Sequence, residues 1–228
     1  MRRMGMGSPI AMPSCLLLGV FLCVCVMLSM TGCIADDSVR IEPPSEEDSH
    51  FYDVGQTIEV EAIDWQHPDS KPSVSFTLDG CSVYEENLPE EVELSEVVDY
   101  VVSEEGIGEG GSLPQGVCFV KADITYENES DRDVVVGVNN VRLGFFGLDS
   151  NETPPAHELC WMDGVVCANA PDDAFMPTLS AHCSQSYSIG FIVSSRFVEN
   201  GSARLVVQSE IRGLEQKNIL GFNIPKGV

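Results

Sequence analysis

Residues 117–126, Val-Cys-Phe-Val-Lys-Ala-Asp-Ile-Thr-Tyr, alternate. Cys118, Val120, Ala122, Ile124 and Tyr126 fall on one side of an extended chain, and Lys121, Asp123 and Thr125 fall on the other. Side chains along a β-strand point to opposite faces with a period of two, so this run buries one face only if a second layer lies against its sheet. A 3.6-residue period would scatter the same apolar positions around a helix. Residues 57–63 and 74–78 repeat the pattern, the latter with Val74, Phe76 and Leu78 on one face. Further apolar runs occupy 187–193, 203–208 and 218–224, and another spans 133–146 after the polar turn Glu127-Asn128-Glu129-Ser130-Asp131. Asn200-Gly201 lies between two of these runs, and an Asn-Gly pair so placed predicts a β-hairpin. Seven or so short strands separated by turn signals imply a mainly all-β fold, an antiparallel β-sandwich.

Two segments depart from the strand pattern. Leu88-Pro89-Glu90-Glu91, followed by Leu94, Val97, Val98 and Val101, has helical spacing with a proline and carboxylates near its start. It predicts one short inserted helix, although its valines are weak helix formers. Residues 106–116 hold five glycines and read as a flexible loop.

The N-terminus has a different character. Arg2 and Arg3 are the only charges before Asp36, and residues 15–30 read CLLLGVFLCVCVMLSM. A basic start, an apolar middle and a small-residue end make a secretory signal. Met30-Thr31-Gly32-Cys33 resembles the lipobox of bacterial lipoproteins, with Met where Leu is commoner. That resemblance implies a diacylglycerol on the Cys33 thiol and cleavage just before it. The alternative is an uncleaved anchor, since residues 15–35 reach the roughly 20 residues that cross a hydrocarbon core. Both readings keep Arg2 and Arg3 cytoplasmic and put the remainder on the extracytoplasmic face of the cell membrane. Residues 34–49 are acidic, contain Pro43-Pro44 and hold too few apolar groups to offset their ordering entropy. The expected organisation is a signal peptide at 1–32, a lipid-anchored acidic linker at 33–50 and a sandwich domain at 51–228.

Charge narrows the partners. Asp and Glu number 36 against 12 Lys and Arg, a net charge of -24. Binding to phosphate backbones needs clustered cations, so nucleic acid is not an expected partner. Anionic lipid headgroups would repel the domain, which leaves the membrane as a partner only through the lipid anchor.

The run 119–130, Phe-Val-Lys-Ala-Asp-Ile-Thr-Tyr-Glu-Asn-Glu-Ser, resembles the central strand of the telokin-like, immunoglobulin-fold domains of bacterial lipoproteins. In those domains an alternating strand ends in Asn, a short polar turn follows and a second long strand returns; here 133–143 would supply the return. Residues 189–193 and 205–207 also fit the last strands of that family. The resemblance spans 55–224, with 85–116 and the Cys-rich 157–183 as departures. It implies an immunoglobulin-like β-sandwich on a surface protein of uncharacterised function that binds an extracellular protein or ligand or serves a structural role.

Nine cysteines are present. Cys15, Cys23 and Cys25 fall in the signal and Cys33 takes the lipid, leaving Cys81, Cys118, Cys160, Cys167 and Cys183. Outside the cytoplasm thiols tend to pair, and five cannot all pair within one chain. Cys118 faces inward by its phase and Cys81 ends a neighbouring strand, while Cys160 and Cys167 flank Asp163-Gly164 as in a bridged hairpin. The expected pairs are Cys81–Cys118 and Cys160–Cys167, with Cys183 a free or intermolecular thiol, although spacing alone leaves other connectivities open. Trp161, next to Cys160, is expected to pack on a disulfide in the core.

Two ion-binding alternatives accompany this reading. His157, Cys160, Cys167, His182 and Cys183 could converge on zinc, but no Cys-x-x-Cys is present, and His182 and Cys183, if adjacent on a strand, would face opposite ways. Asp149-Ser150-Asn151-Glu152 and Glu129-Ser130-Asp131-Arg132-Asp133 carry oxygen ligands of the kind calcium takes, without the spacing of an EF-hand loop. No metal and no cofactor is expected. Nor is catalysis: Gly110-Gly111-Ser112-Leu113-Pro114 lacks the last glycine of a nucleophile elbow, and His67 sits in a polar loop.

Overall fold

The alternating run becomes strand β4, Val117–Glu127, with Cys118, Val120, Ala122, Ile124 and Tyr126 buried. The computed structural model describes residues 49–148, 159–167, 170–212 and 215–225. Cys33, His157, the 149–152 group, the signal peptide and the linker up to residue 48 lie outside them. β4 is central in a five-stranded sheet ordered β2 (Thr57–Glu61), β3 (Ser73–Tyr84), β4, β9 (Ser184–Ser194), β7 (Trp161–Met162), antiparallel throughout. A four-stranded sheet runs β1 (Ser49–Tyr52), β11 (Glu215–Asn223), β10 (Ala203–Arg212), β6 (Arg142–Phe145), with β1 parallel to β11 and the other pairs antiparallel. β5 (Val134–Val135) pairs with β8 (Thr178–Leu179) beside them.

The two larger sheets form a β-sandwich. Phe76, Ile124 and Phe191 from one sheet share a buried cluster with Leu143, Leu205 and Phe222 from the other. The rings of Phe76 and Phe222 meet across the layers with centroids 5.6 Å apart. Each such fully buried side chain contributes about 1.5–3 kcal/mol from area removed from water. With β1 and β2 set aside as added edges, β3-β4-β9-β7 hold the places of strands A, B, E and D of an immunoglobulin fold, and β6-β10-β11 those of C, F and G.

The other face of the five-stranded sheet is also covered. Leu88, Val92, Val97 and Ile107 of the segment between β3 and β4 close over Phe119, Cys160, Trp161 and Ile192. Three consecutive positions, 118–120, are therefore buried, because Phe119 meets the inserted segment while Cys118 and Val120 face the other sheet. Gly190 makes room for this layer: a Cβ there would stand 2.1 Å from Phe119 Cζ.

Several expectations are corrected. The inserted helix begins later than its spacing predicts, as α1, Asp99–Glu105, after a single 3-10 turn at Leu94–Glu96. Leu88 and Val92 lie before both, in a turn closed by a bond from the Val92 N–H to the Pro89 carbonyl. The Val98 N–H donates to the Cys160 carbonyl, and Val97 and Val98 are extended between the 3-10 turn and α1. The glycine-rich stretch is tied back rather than loose, with Leu88 N–H bonded to Gly111 O and Leu113 N–H to Glu86 O. The run 133–146 is interrupted, giving β5, a 3-10 turn at Val138–Asn140 and β6. Asn200-Gly201 does not close a hairpin, because β9 and β10 belong to different sheets and a second short helix, α2 (Ser195–Glu199), crosses between them. β1 adds a parallel pairing to an arrangement expected to be antiparallel.

Candidate functional site

The connections 62–72, 128–133 and 180–183 gather at one end of the sandwich, and 85–116 joins β3 to β4 at the other. The strand register sets this division: the start of β3 pairs with the end of β2, and the end of β4 with the start of β9. Loops at one end of an immunoglobulin sandwich form a composite surface on a rigid base.

The first loop is built around Asp64, which is 6% exposed. Its Oδ1 accepts the backbone N–H groups of Gln66 at 2.9 Å and His67 at 3.0 Å. Its Oδ2 lies 3.0 Å from His67 Nδ1 and 3.7 Å from the Arg132 guanidinium. Burial acts to raise the Asp64 carboxyl, and the hydrogen bonds from His67 and Gln66 overcome it, leaving the group below the usual Asp range. A short polar side chain accepting bonds from the next residues fixes the turn, and the residue it leaves facing water is Trp65, 68% exposed. Tryptophan is rarely left so open on a folded surface.

The second loop hangs from Asn128, which is fully buried. Its Nδ2 donates to the carbonyls of Arg132 (2.7 Å), Leu179 (3.1 Å) and Ser180 (3.1 Å), while its Oδ1 accepts from Ser130. This one side chain ties the 128–133 turn to the 180–183 turn. Asp133 accepts the Ala181 N–H at 3.0 Å, and His182 Nε2 lies 2.9 Å from Asp131 Oδ1. Paired backbone bonds between Ile63 and Val135 join this assembly to the first loop.

Two clefts flank that bridge. One, of about 340 Å³, lies between the loops and is lined by Asp64, Ser70, Lys71, Asp131 and Arg132. The other, of about 390 Å³, has Ile63, Tyr126, Arg142, Val207 and Gln208 in its lining. Burial pushes the Arg142 guanidinium down. The first cleft offers donors and acceptors of both signs, a combination suited to holding a polar ligand, and the exposed Trp65 is the chain neighbour of its Asp64. The Ser70 hydroxyl is directed at Asp64 Oδ2, 3.5 Å away, the same oxygen that the His67 imidazole meets. A nucleophilic relay needs the hydroxyl to meet the imidazole instead.

The expected cysteine pairs are not joined among the described residues. All five described thiols are free. Cys81 stands opposite Ala122, four residues out of register with Cys118. Burial first, and Asp123 second, push the Cys81 thiol to about 12; burial, Glu85 and Glu199 do the same for Cys118. Cys160 belongs to the outer cluster and Cys167 to the cluster between the sheets, yet they lie near enough that, after burial, Cys167 helps to raise the Cys160 thiol. Trp161 accordingly packs under the inserted segment without a disulfide, its Nε1 donating to Glu96 Oε2 at 3.1 Å. Cys183 is exposed.

His182 and Cys183 sit in the turn before β9, His182 with a left-handed φ of 56°, rather than on a strand. Among the described residues, no three His, Cys, Asp or Glu gather as metal ligands. The proposed zinc cluster is therefore not assembled from its described members, and in the 129–133 group Asp133 accepts from Ala181 and Asp131 meets His182. Asp64, Trp65, Ser70, Lys71 and Arg132 carried no motif. The available signal was a tryptophan in a polar loop, next to an Asp three residues before a His.

No family model matches the chain, and no curated protein matches it. Among solved structures, an uncharacterised β-sandwich protein from Clostridium difficile 630 aligns over 77% of this chain and 97% of its own, at 7% identity and a TM-score of 0.34.

Proposed function

We propose that this chain is an extracytoplasmic lipoprotein, anchored through acyl chains on Cys33, whose β-sandwich is a non-catalytic binding module that engages its ligand at the loop end. The observation that carries the binding role is Trp65, held in water at 68% exposure by a turn whose centre, Asp64, is buried. A loop made rigid around an exposed aromatic has already met most of its ordering cost, which favours recognition. The anchor rests on the basic start, the apolar run and Met30-Thr31-Gly32-Cys33.

The test is a screen of the full-length protein, in detergent, against glycan and peptide arrays, with Trp65→Ala as comparison and Cys33→Ala as the anchoring control. Ligands that lose at least tenfold in affinity with Trp65→Ala support the loop end, and Cys33→Ala should move the expressed protein from the membrane to the soluble fraction. Ligands bound equally by the Trp65 variant would place recognition elsewhere.

A further inference from the structure

The segment 85–116 carries ten carboxylates and no Lys, Arg or His. Most of its glutamates are exposed, among them Glu85, Glu86, Glu90, Glu93, Glu104 and Glu109. Two others have inward partners: Glu91 meets Lys121 Nζ at 2.8 Å and Glu96 accepts from Trp161. Concentrating one sign of charge on one segment destabilises it through self-repulsion. Covering Phe119 and Trp161 requires only the apolar side chains Leu88, Val92, Val97 and Ile107. The charge of the exposed glutamates other than Glu91 is therefore surplus to the packing role.

Within this segment lies a shallow groove lined by Leu94, Ser95, Val102, Ser103, Gly106 and Ile107. It exists because α1 ends at Gly106, whose left-handed φ of 70° reverses the chain and returns the Ile107 N–H to the Val102 carbonyl. Leu94 and Val102 remain half-buried at its walls. We propose that this groove docks a cationic, amphipathic segment of a partner protein, whose apolar side chains enter between Leu94 and Val102 while its Lys and Arg meet the surrounding glutamates. Charge decides the occupant. A second copy of this chain, at -24, is repelled, as are anionic lipid and nucleic acid. A basic segment with apolar anchors satisfies both the rim and the floor. This surface lies at the opposite end from Trp65 and does not depend on the loop-end reading.

The experiment uses full-length protein in a non-ionic detergent and three labelled 16-residue peptides: one of Lys and Leu with Leu at i, i+4 spacing, one with every Leu replaced by Ser, and one with every Lys replaced by Glu. The Lys/Leu peptide should bind, weaken with salt, and lose at least tenfold in affinity with Val102→Ser and with the combined Glu93→Gln, Glu104→Gln, Glu105→Gln variant. The Lys/Ser peptide should bind at least tenfold more weakly, and the Glu/Leu peptide not at all. The Gln variant removes exposed or half-exposed charge, so its fold is expected to survive and a melting curve checks it. Equal binding of the Lys/Ser peptide would reduce the surface to unspecific attraction and overturn the proposal. So would a Lys/Leu affinity indifferent to both variants.

Discussion

The two faces of the five-stranded sheet solve the same problem with different material. The inner face meets another sheet, and its partners Leu143, Leu205 and Phe222 sit on strands whose alternation matches its own. The outer face carries Phe119, Trp161 and Ile192 and meets a segment of turns and one short helix, acidic outside and apolar beneath. The inner contact repeats a regular pattern, so many neighbours share each loss. The outer contact depends on a few particular fits, of which Gly190 against Phe119 is the tightest. Burial alone does not separate the faces, since Phe119 and Phe191 are both fully buried.

That comparison can be broken experimentally, beginning with the largest effect. Phe191→Ala opens a cavity between the sheets and should cost about 3–5 kcal/mol, read as a lower denaturant midpoint with all probes coinciding. A smaller or probe-dependent loss would mean that the inner face is not the cooperative centre. Gly190→Ala sets a methyl against the Phe119 ring and should cost about 1–3 kcal/mol. Adding Phe119→Leu should recover part of that loss, because the shorter side chain vacates the contested space. Failure of the double variant to recover would remove the outer-face fit as the cause.

The smallest effect concerns the ion pair that holds the inserted segment down. The hydrogen bond from Lys121 holds the Glu91 carboxyl below the usual Glu range, and Glu91 raises the Lys121 ammonium. A carboxyl depressed in the folded state contributes stability above its unfolded pKa and loses it as pH falls through the folded value. Glu91 is 49% exposed, so Glu91→Gln should cost well under about 1 kcal/mol at pH 7. The difference in melting temperature between the two proteins should close as pH falls below about 4. A difference that does not narrow as pH falls from 7 to 3 would assign it to packing instead of charge.

The sandwich was legible because period two has one meaning at β4: Cys118 to Tyr126 had to face a second layer. The edges and crossings were not legible. Asn200-Gly201 has the local chemistry of a hairpin, but strand pairing sends β9 and β10 into different sheets and α2 joins them. Leu88 to Val101 has helical spacing because Leu88, Val92 and Val97 all reach the sheet, which turns accomplish as well as a helix does. Spacing reports which residues share a face and leaves open the backbone that puts them there.

The same limit governs the candidate sites. The chain by itself determined the charge, the apolar N-terminal run and the inward face of β4, since each is a property of adjacent residues. Asp64 and Arg132, or Cys81 and Cys118, are far apart in sequence, and only strand register decides that the first two meet and the second two do not. Trp65 stands in a polar loop by its sequence, which leaves its burial undecided. The hydrogen bonds that Asp64 collects from Gln66 and His67 close the turn and leave the indole in water.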